Sequence, residues 1–374
     1  MSMKDKSLKI LLVMGSAAAP VPNSAIFKDN IYESLITLGH QVTIIQFDEF
    51  LKQHQTETLE NQKNILEEHI ISVFKQEAPF DYLLGFLSDE QVTPNLYKEL
   101  KDEVYTVNWT CNSHQFDILH KRNSPYIGLN TYISKNHKAL YDSVGANNYW
   151  LPMAANENLY EISGNQDIGI SFVGSAYGKR PYYIWRLLQS GIDLKLFGPG
   201  WYLNNNITNF LRLYVAPIVY NLNTNEKRLK NLNKSERILI QKQIMKLTEV
   251  GGVPDDKNYR KILSRSLVSL NFPESRKDND FFNYEVTFGC NFRDFEIPLS
   301  GSMLLTQDSE EFDFFYERGK EAIPFGNETD LIEKAKYYSN NVTEAKKISE
   351  AGHRRALNDH TWSKRFNQLF NYLK

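Results

Sequence analysis

The 374-residue chain carries 43 Lys and Arg against 45 Asp and Glu, a formal charge of −2, with 41% apolar residues. That length is more than one ordinary domain needs and enough for two, each with its own core. The composition excludes disordered and fibrous classes, and the charge balance argues against nucleic acid as a partner, because neutralising phosphates takes a clear excess of cations.

Lys9–Met14 is a continuous apolar run closed by Gly15, as expected of a buried parallel strand. Ser24 can cap a following helix with Phe27, Ile31, Leu35 and Leu38 on one stripe and Gly39 just past its end. Gln41–Gln46 reads as the next strand, which completes the opening unit of a doubly wound sheet. Further strands are predicted over Tyr82–Phe86, Val104–Asn108, Tyr126–Leu129 and Asn148–Leu151, with helical patterns between them.

The chain turns polar from Pro152 to Tyr160, and a second series opens with Ile168–Val173, which ends at Gly174. Pro181 suits the first turn of a helix that Gly191 ends, and Asp193–Phe197 returns as a strand into Gly198-Pro-Gly-Trp201. Strands over Ser266–Phe272, Met303–Thr306 and Ala322–Pro324 follow, then two helical stretches. The reading is an α/β protein of two doubly wound, Rossmann-like domains. The first is 1–155, completed by a C-terminal helix at 360–374; the second is 156–359.

Residues 202–250 interrupt this pattern. An apolar stretch at Phe210–Tyr220 precedes 226–246, which holds seven Lys or Arg against two Glu. Such a segment is either a helical excursion with solvated charges or a device for peripheral membrane contact through 205–246. Cys111 and Cys290 lack metal-ligand spacing. The first residues lack the apolar core of a signal peptide, and no run nears the ~18–20 apolar residues that span a bilayer, so a cytoplasmic protein is expected.

In open α/β sheets ligands bind beyond the carboxyl ends of the strands. One such loop is Gly174-Ser-Ala-Tyr-Gly-Lys-Arg180, whose amides and helix start can hold an anion, with Lys179 and Arg180 adding charge. A second is Arg293–Thr306, where Glu296 stands five residues before Gly301 and a buried strand follows. A carboxylate there can accept two hydrogen bonds from a vicinal diol such as a ribose, and Arg293, one turn earlier, can meet a phosphate or orient that Glu. An ordinary Arg/Glu pair on a short helix is the competing reading.

The second half resembles the CgeB-like, spore-maturation branch of the GT-B glycosyltransferases. The matching stretches are Ser171–Tyr177 with Arg180, Phe197–Trp201, Leu270–Phe272, Asn291–Pro298 and Gly301–Thr306, then Gly319–Ala322, Gly352–Arg355 and His360–Trp362. Tyr105–Trp109 and Tyr149–Met153 match more loosely. The resemblance implies the GT-B fold, with a nucleotide-sugar donor, such as a UDP-sugar, on the second domain and a glycan, protein or small-molecule acceptor on the first. It implies a hexosyltransferase that needs no metal and no cofactor. Glu296 would hold the donor ribose, while Gly174, Ser175, Lys179, Arg180 and Arg293 would face the diphosphate. Arg276 and Gly15 complete the expected donor set.

Two departures leave the stereochemistry open. Retaining relatives often carry a Glu eight positions before the ribose-binding one, where this chain has Phe288, and Glu285 is out of register. Thr110-Cys-Asn112 stands where relatives have acidic residues, so His114, Asp117 and Asp89 are the candidate catalytic bases. Asp278-Asn-Asp280 reads as a solvated turn rather than a metal site. Epimerisation or hydrolysis of a sugar nucleotide, or binding without turnover, are the alternatives on the same fold.

Overall fold

The structure is a computed structural model and describes residues 7–16, 24–202, 239–276 and 286–374. Two compact units emerge. The first comprises Met1–Leu159, Gly289–Phe295 and Leu357–Lys374; the second comprises Tyr160–Phe288 and Glu296–Ala356.

The first unit is built on a six-stranded parallel sheet of β1 (Lys9–Met14), β2 (Gln41–Gln46), β3 (Tyr82–Gly85), β4 (Tyr105–Thr110), β5 (Leu129–Tyr132) and β6 (Asn148–Trp150). Their order is β2-β1-β3-β4-β5-β6, so the winding reverses between β1 and β3. β1 is central and apolar on both faces because helices cover both: Leu11 and Val13 share a cluster with Leu66, Ile70 and Phe74 of the helix Leu59–Glu77. β5 starts three residues later than its apolar run suggests. Pro125 sits in a 3-10 turn at Ser124–Tyr126, and the Gly128 amide is held by Thr106 Oγ1 at 2.9 Å before the ladder begins.

The chain returns to this unit at its end. Trp362–Tyr372 is a helix capped by Thr361, and Trp362 meets Trp109 edge-on while Phe370 stacks on Tyr82. Gly289–Phe295, which the sequence reading gave to the second domain, also packs here. Its Phe292 ring lies 5.4 Å from that of Phe27, and its Phe295 ring 5.4 Å from that of His360.

The second unit carries β7 (Ile168–Val173), β8 (Leu194–Phe197), β9 (Val250–Gly251), β10 (Ser266–Asn271), β13 (Met303–Gln307) and β14 (Ile323–Phe325). The order β14-β13-β10-β7-β8-β9 is that of a dinucleotide-binding sheet, with its switch point between β7 and β10. A short antiparallel hairpin, β11 (Glu274–Arg276) with β12 (Val286–Phe288), follows β10 and has no counterpart in the sequence reading. One sheet face is apolar: Ile170, Phe172, Val268, Leu270 and Leu305 share a core with Ile184 and Leu187 of the helix Arg180–Gln189. Each such side chain contributes about 1.5–3 kcal/mol through burial. On β7 and β10, Ser171 and Ser269 alternate with those residues, and their hydroxyls join those of Ser266 and Ser302 in a buried network.

Of the 202–250 excursion, residues 203–238 lie outside the described ones. Its end, a helix at 239–247, packs on the second core through Ile240 and Ile244, with Gln241 donating to the Gly200 carbonyl. Among the described residues no helix is long and apolar enough to cross a membrane.

Candidate functional site

The switch point of the second sheet places the ends of β7 and β10 side by side, and Arg180 ties them together. Its guanidinium donates to the Phe272 carbonyl at 2.6 Å and the Ser175 carbonyl at 3.4 Å, and lies 3.8 Å from the centre of the Tyr177 ring. The residue is 1% exposed. Arg180, expected from sequence to add charge to the loop and face a diphosphate, is a buried clamp between the Ser175 and Phe272 carbonyls. Lys179 is exposed at the helix start.

The loop itself rests on Gly198-Pro-Gly-Trp201. Gly174 N–H donates to the Phe197 carbonyl, Ala176 N–H donates to the Pro199 carbonyl, and the Trp201 indole donates to the Gly174 carbonyl at 2.6 Å. Gly198 has φ +125°, and a Cβ there would come within 2.4 Å of the Gly174 oxygen. These four residues form a cradle that admits no side chain at its first position. The row of anion-binding amides expected from sequence is therefore reduced, since two are spent on the cradle. The Ser175 amide has no partner among the described residues, and it stands at the carboxyl end of β7.

Glu296 lies on the helix Arg293–Leu299, which local chemistry closes at both ends. Asn291 Oδ1 accepts from Arg293 N–H, and Asp294 Oδ2 accepts from Asn291 N–H, a reciprocal cap. At the other end Gly301, with φ +75°, donates to Pro298, and Ser302 N–H reaches Ile297. That pair of bonds is a Schellman ending, which explains the five-residue spacing from Glu296 to Gly301. Glu296 is 1% exposed. Its Oε1 accepts from the Tyr160 hydroxyl and its Oε2 from the Tyr259 hydroxyl, both at 2.5 Å. Burial, and then the Glu296 charge, hold the Tyr160 hydroxyl well above its usual titration range, so it stays a donor. Arg293 is half-buried, and its Nε has no partner among the described residues.

The three candidate bases fall in the first unit. Asp89 is buried, and its carboxylate accepts from the Arg122 and Asn123 amides at 2.9 and 3.0 Å. Each oxygen accepts one backbone amide, which helps hold that loop. Asp117 is an exposed partner of Lys121 at 2.9 Å. His114 is half-buried in the turn Ser113–Gln115 after β4. Beside it, His120 Nε2 bonds Asn112 Oδ1 at 2.8 Å and His137 Nδ1 bonds Ser113 Oγ at 2.7 Å, a polar cluster the sequence reading missed. Burial pushes the Cys111 thiol up to about 11, above the usual thiol range. Gly15 ends β1 at the first switch point, where a Cβ would meet the Phe47 ring at 2.8 Å. The backbone of Arg276 lies in the hairpin, and its side chain, like Asp278 and Asp280, lies outside the described residues. Among the described residues no group of three His, Cys, Asp or Glu is placed to hold a metal ion.

A family model described as glycosyl transferase-like matches residues 184–371, half of the chain. The chain belongs to the glycosyl transferase-like family. The solved sucrose-phosphate synthase of Thermosynechococcus elongatus is similar over 98% of this chain and 99% of its own, with a TM-score of 0.61 at 10% identity. Anabaena Alr3699/HepE, solved with UDP and glucose, gives the same figures. AviGT4, a glycosyltransferase of avilamycin A biosynthesis, covers 97% of this chain and 96% of its own at a TM-score of 0.57 and 12% identity. A putative UDP-N-acetylglucosamine 2-epimerase of Listeria monocytogenes is similar over 99% and 96%, with a TM-score of 0.56 at 12% identity. No curated protein matches in sequence. At these identities the likeness establishes the GT-B fold.

Within this glycosyl transferase-like chain, the residues that sequence reasoning missed are those that act through long-range contacts. Tyr160 and Tyr259 complete the surroundings of Glu296 from 136 and 37 residues away. Trp201 holds Gly174 from 27 residues away. A Tyr in a polar stretch carries no spacing signal. The glycines around Pro199 were legible as a motif, but their purpose was not.

Proposed function

We propose that the chain transfers a hexose from a nucleoside diphosphate to a hydroxyl acceptor, as a member of the CgeB-like branch and without a metal. The observation that carries the donor half is the pairing, in one unit, of a nucleotide-type switch point with a buried carboxylate. Ser175 offers an amide there and Arg180 a fixed positive charge, while Glu296 is held as a double acceptor for a ribose diol. In the reaction the bond from the anomeric carbon to the β-phosphate oxygen breaks, and the diphosphate takes the electron pair. The acceptor oxygen bonds to that carbon and gives up its proton. Fixed cations near the leaving group stabilise this change without reorganising.

The UDP and UDP-glucose complexes of the Anabaena neighbour support a uridine nucleotide as the first donor to test. The likeness to a putative 2-epimerase favours a second reading, donor isomerisation without an acceptor. Nucleotide sugars incubated with and without a hydroxyl acceptor separate the two: acceptor-dependent release of the nucleoside diphosphate is expected. An isomerised sugar nucleotide formed in the absence of any acceptor would replace the transferase reading.

A further inference from the structure

Glu296 presents a difficulty for any ligand. The carboxylate is closed off from solvent, and each oxygen already receives a tyrosine hydroxyl. The two tyrosines are not equivalent. Tyr160 is buried, in the segment that leads into β7. Tyr259 is half-buried, one turn into the helix Asp256–Arg265 that Asp255 caps. Of the two tyrosines, Tyr259 is therefore the one in contact with solvent. A carboxylate offers about four lone-pair sites, and a vicinal diol needs two of them in a fixed direction.

We propose that Tyr160 is a permanent positioning residue for Glu296, whereas Tyr259 is an exchangeable stand-in whose hydroxyl the donor ribose displaces. Tyr160, as a neutral donor, fixes the carboxylate rotamer. Tyr259 donates to the second oxygen while the site is empty. On donor binding one O–H···O⁻ bond is exchanged for others of the same kind. The energetic consequence is small for Tyr259 and large for Tyr160. The inference rests on the assignment of Glu296 to the ribose, and its test separates the two.

Calorimetric titration of UDP, GDP, ADP and CDP, each as ribose and 2′,3′-dideoxyribose forms, into the wild type, Glu296→Ala, Tyr160→Phe and Tyr259→Phe provides that test. Circular dichroism confirms that each variant is folded. At least one ribonucleotide should bind the wild type about tenfold or more tightly than its dideoxy form, and Glu296→Ala should abolish that preference. Tyr160→Phe should shrink the preference by about fivefold or more, while Tyr259→Phe should keep it and bind the ribonucleotide at least as tightly as the wild type. A Tyr259→Phe loss equal to that of Tyr160→Phe would make both tyrosines fixed positioning groups and overturn the exchange. An undiminished preference in Glu296→Ala, or none in the wild type, would remove the ribose assignment and the exchange with it. Where a variant fails to fold, ring-labelled tyrosine resonances of the wild type decide. The Tyr259 ring should shift on saturation with nucleotide and the Tyr160 ring should not; a still Tyr259 contradicts the exchange.

Discussion

The cradle at Gly198 makes a quantitative demand. In Gly198→Ala the new Cβ would come 2.4 Å from the Gly174 carbonyl oxygen and 2.8 Å from its carbon, both backbone atoms that cannot rotate away. The φ of +125° adds strain for any L side chain. Backbone strain of this kind costs about 1–3 kcal/mol and overpacking a similar amount, so a loss of about 2–5 kcal/mol is expected. Gly319→Ala is the control, because Gly319 has φ +77° in the same unit but nothing within 4 Å of its would-be Cβ. It should lose only about 1–2 kcal/mol. Urea unfolding followed by circular dichroism measures both. The relief available to Gly198→Ala is a shift of the Gly174 loop, so nucleotide affinity measured on the folded fraction should fall in Gly198→Ala and stay unchanged in Gly319→Ala. Equal unfolding midpoints for the two variants would refute the claim that close approach, rather than backbone freedom, is what Gly198 supplies.

Other outcomes follow from the same geometry. Asp89→Ala leaves the Arg122 and Asn123 amides unmet and should cost about 1–3 kcal/mol in chemical unfolding, while the folded variant keeps the wild-type turnover number. A turnover loss of a hundredfold would restore Asp89 as a base. Burial lowers His120 from its usual 6.5 to about 3 in the folded chain, so the unfolded chain takes up the proton first. Its contribution to stability is complete above pH 6.5 and falls, at about 1.4 kcal/mol per pH unit, as the pH drops toward 3. His120→Gln should flatten the pH dependence of the urea midpoint in that window, and an unaltered profile would exclude this group. Trp201→Phe removes the indole bond to Gly174 and should lower both the melting temperature and nucleotide affinity, with an unchanged affinity counting against a role in holding the loop.

The readings that succeeded from sequence rest on interactions between near neighbours. The continuous apolar run gave β1 because a buried central parallel strand leaves no polar face to interrupt it, and the shorter runs of β2, β7 and β10 stood out between turn residues. The helix around Glu296 was legible for the same reason, since Asn291, Asp294 and Gly301 act within a turn or two of it. The strand near Pro125 was misplaced because a local turn consumed residues that composition alone could not separate from the ladder.

What folding decided are the contacts that bring distant residues to one atom. Asp89 is a candidate base in the sequence, and only the fold puts the Arg122 and Asn123 amides on its oxygens. Arg180 reads as a cation at the end of its loop, and only the fold shows Phe272 and Tyr177 enclosing it. The sequence by itself determined two wound sheets and one carboxylate five residues before a glycine, through patterns of short range. Which hydroxyls hold that carboxylate, and which glycine makes room for the Gly174 loop, came only with the tertiary structure. A hydrogen-bond partner 136 residues away leaves no periodicity behind.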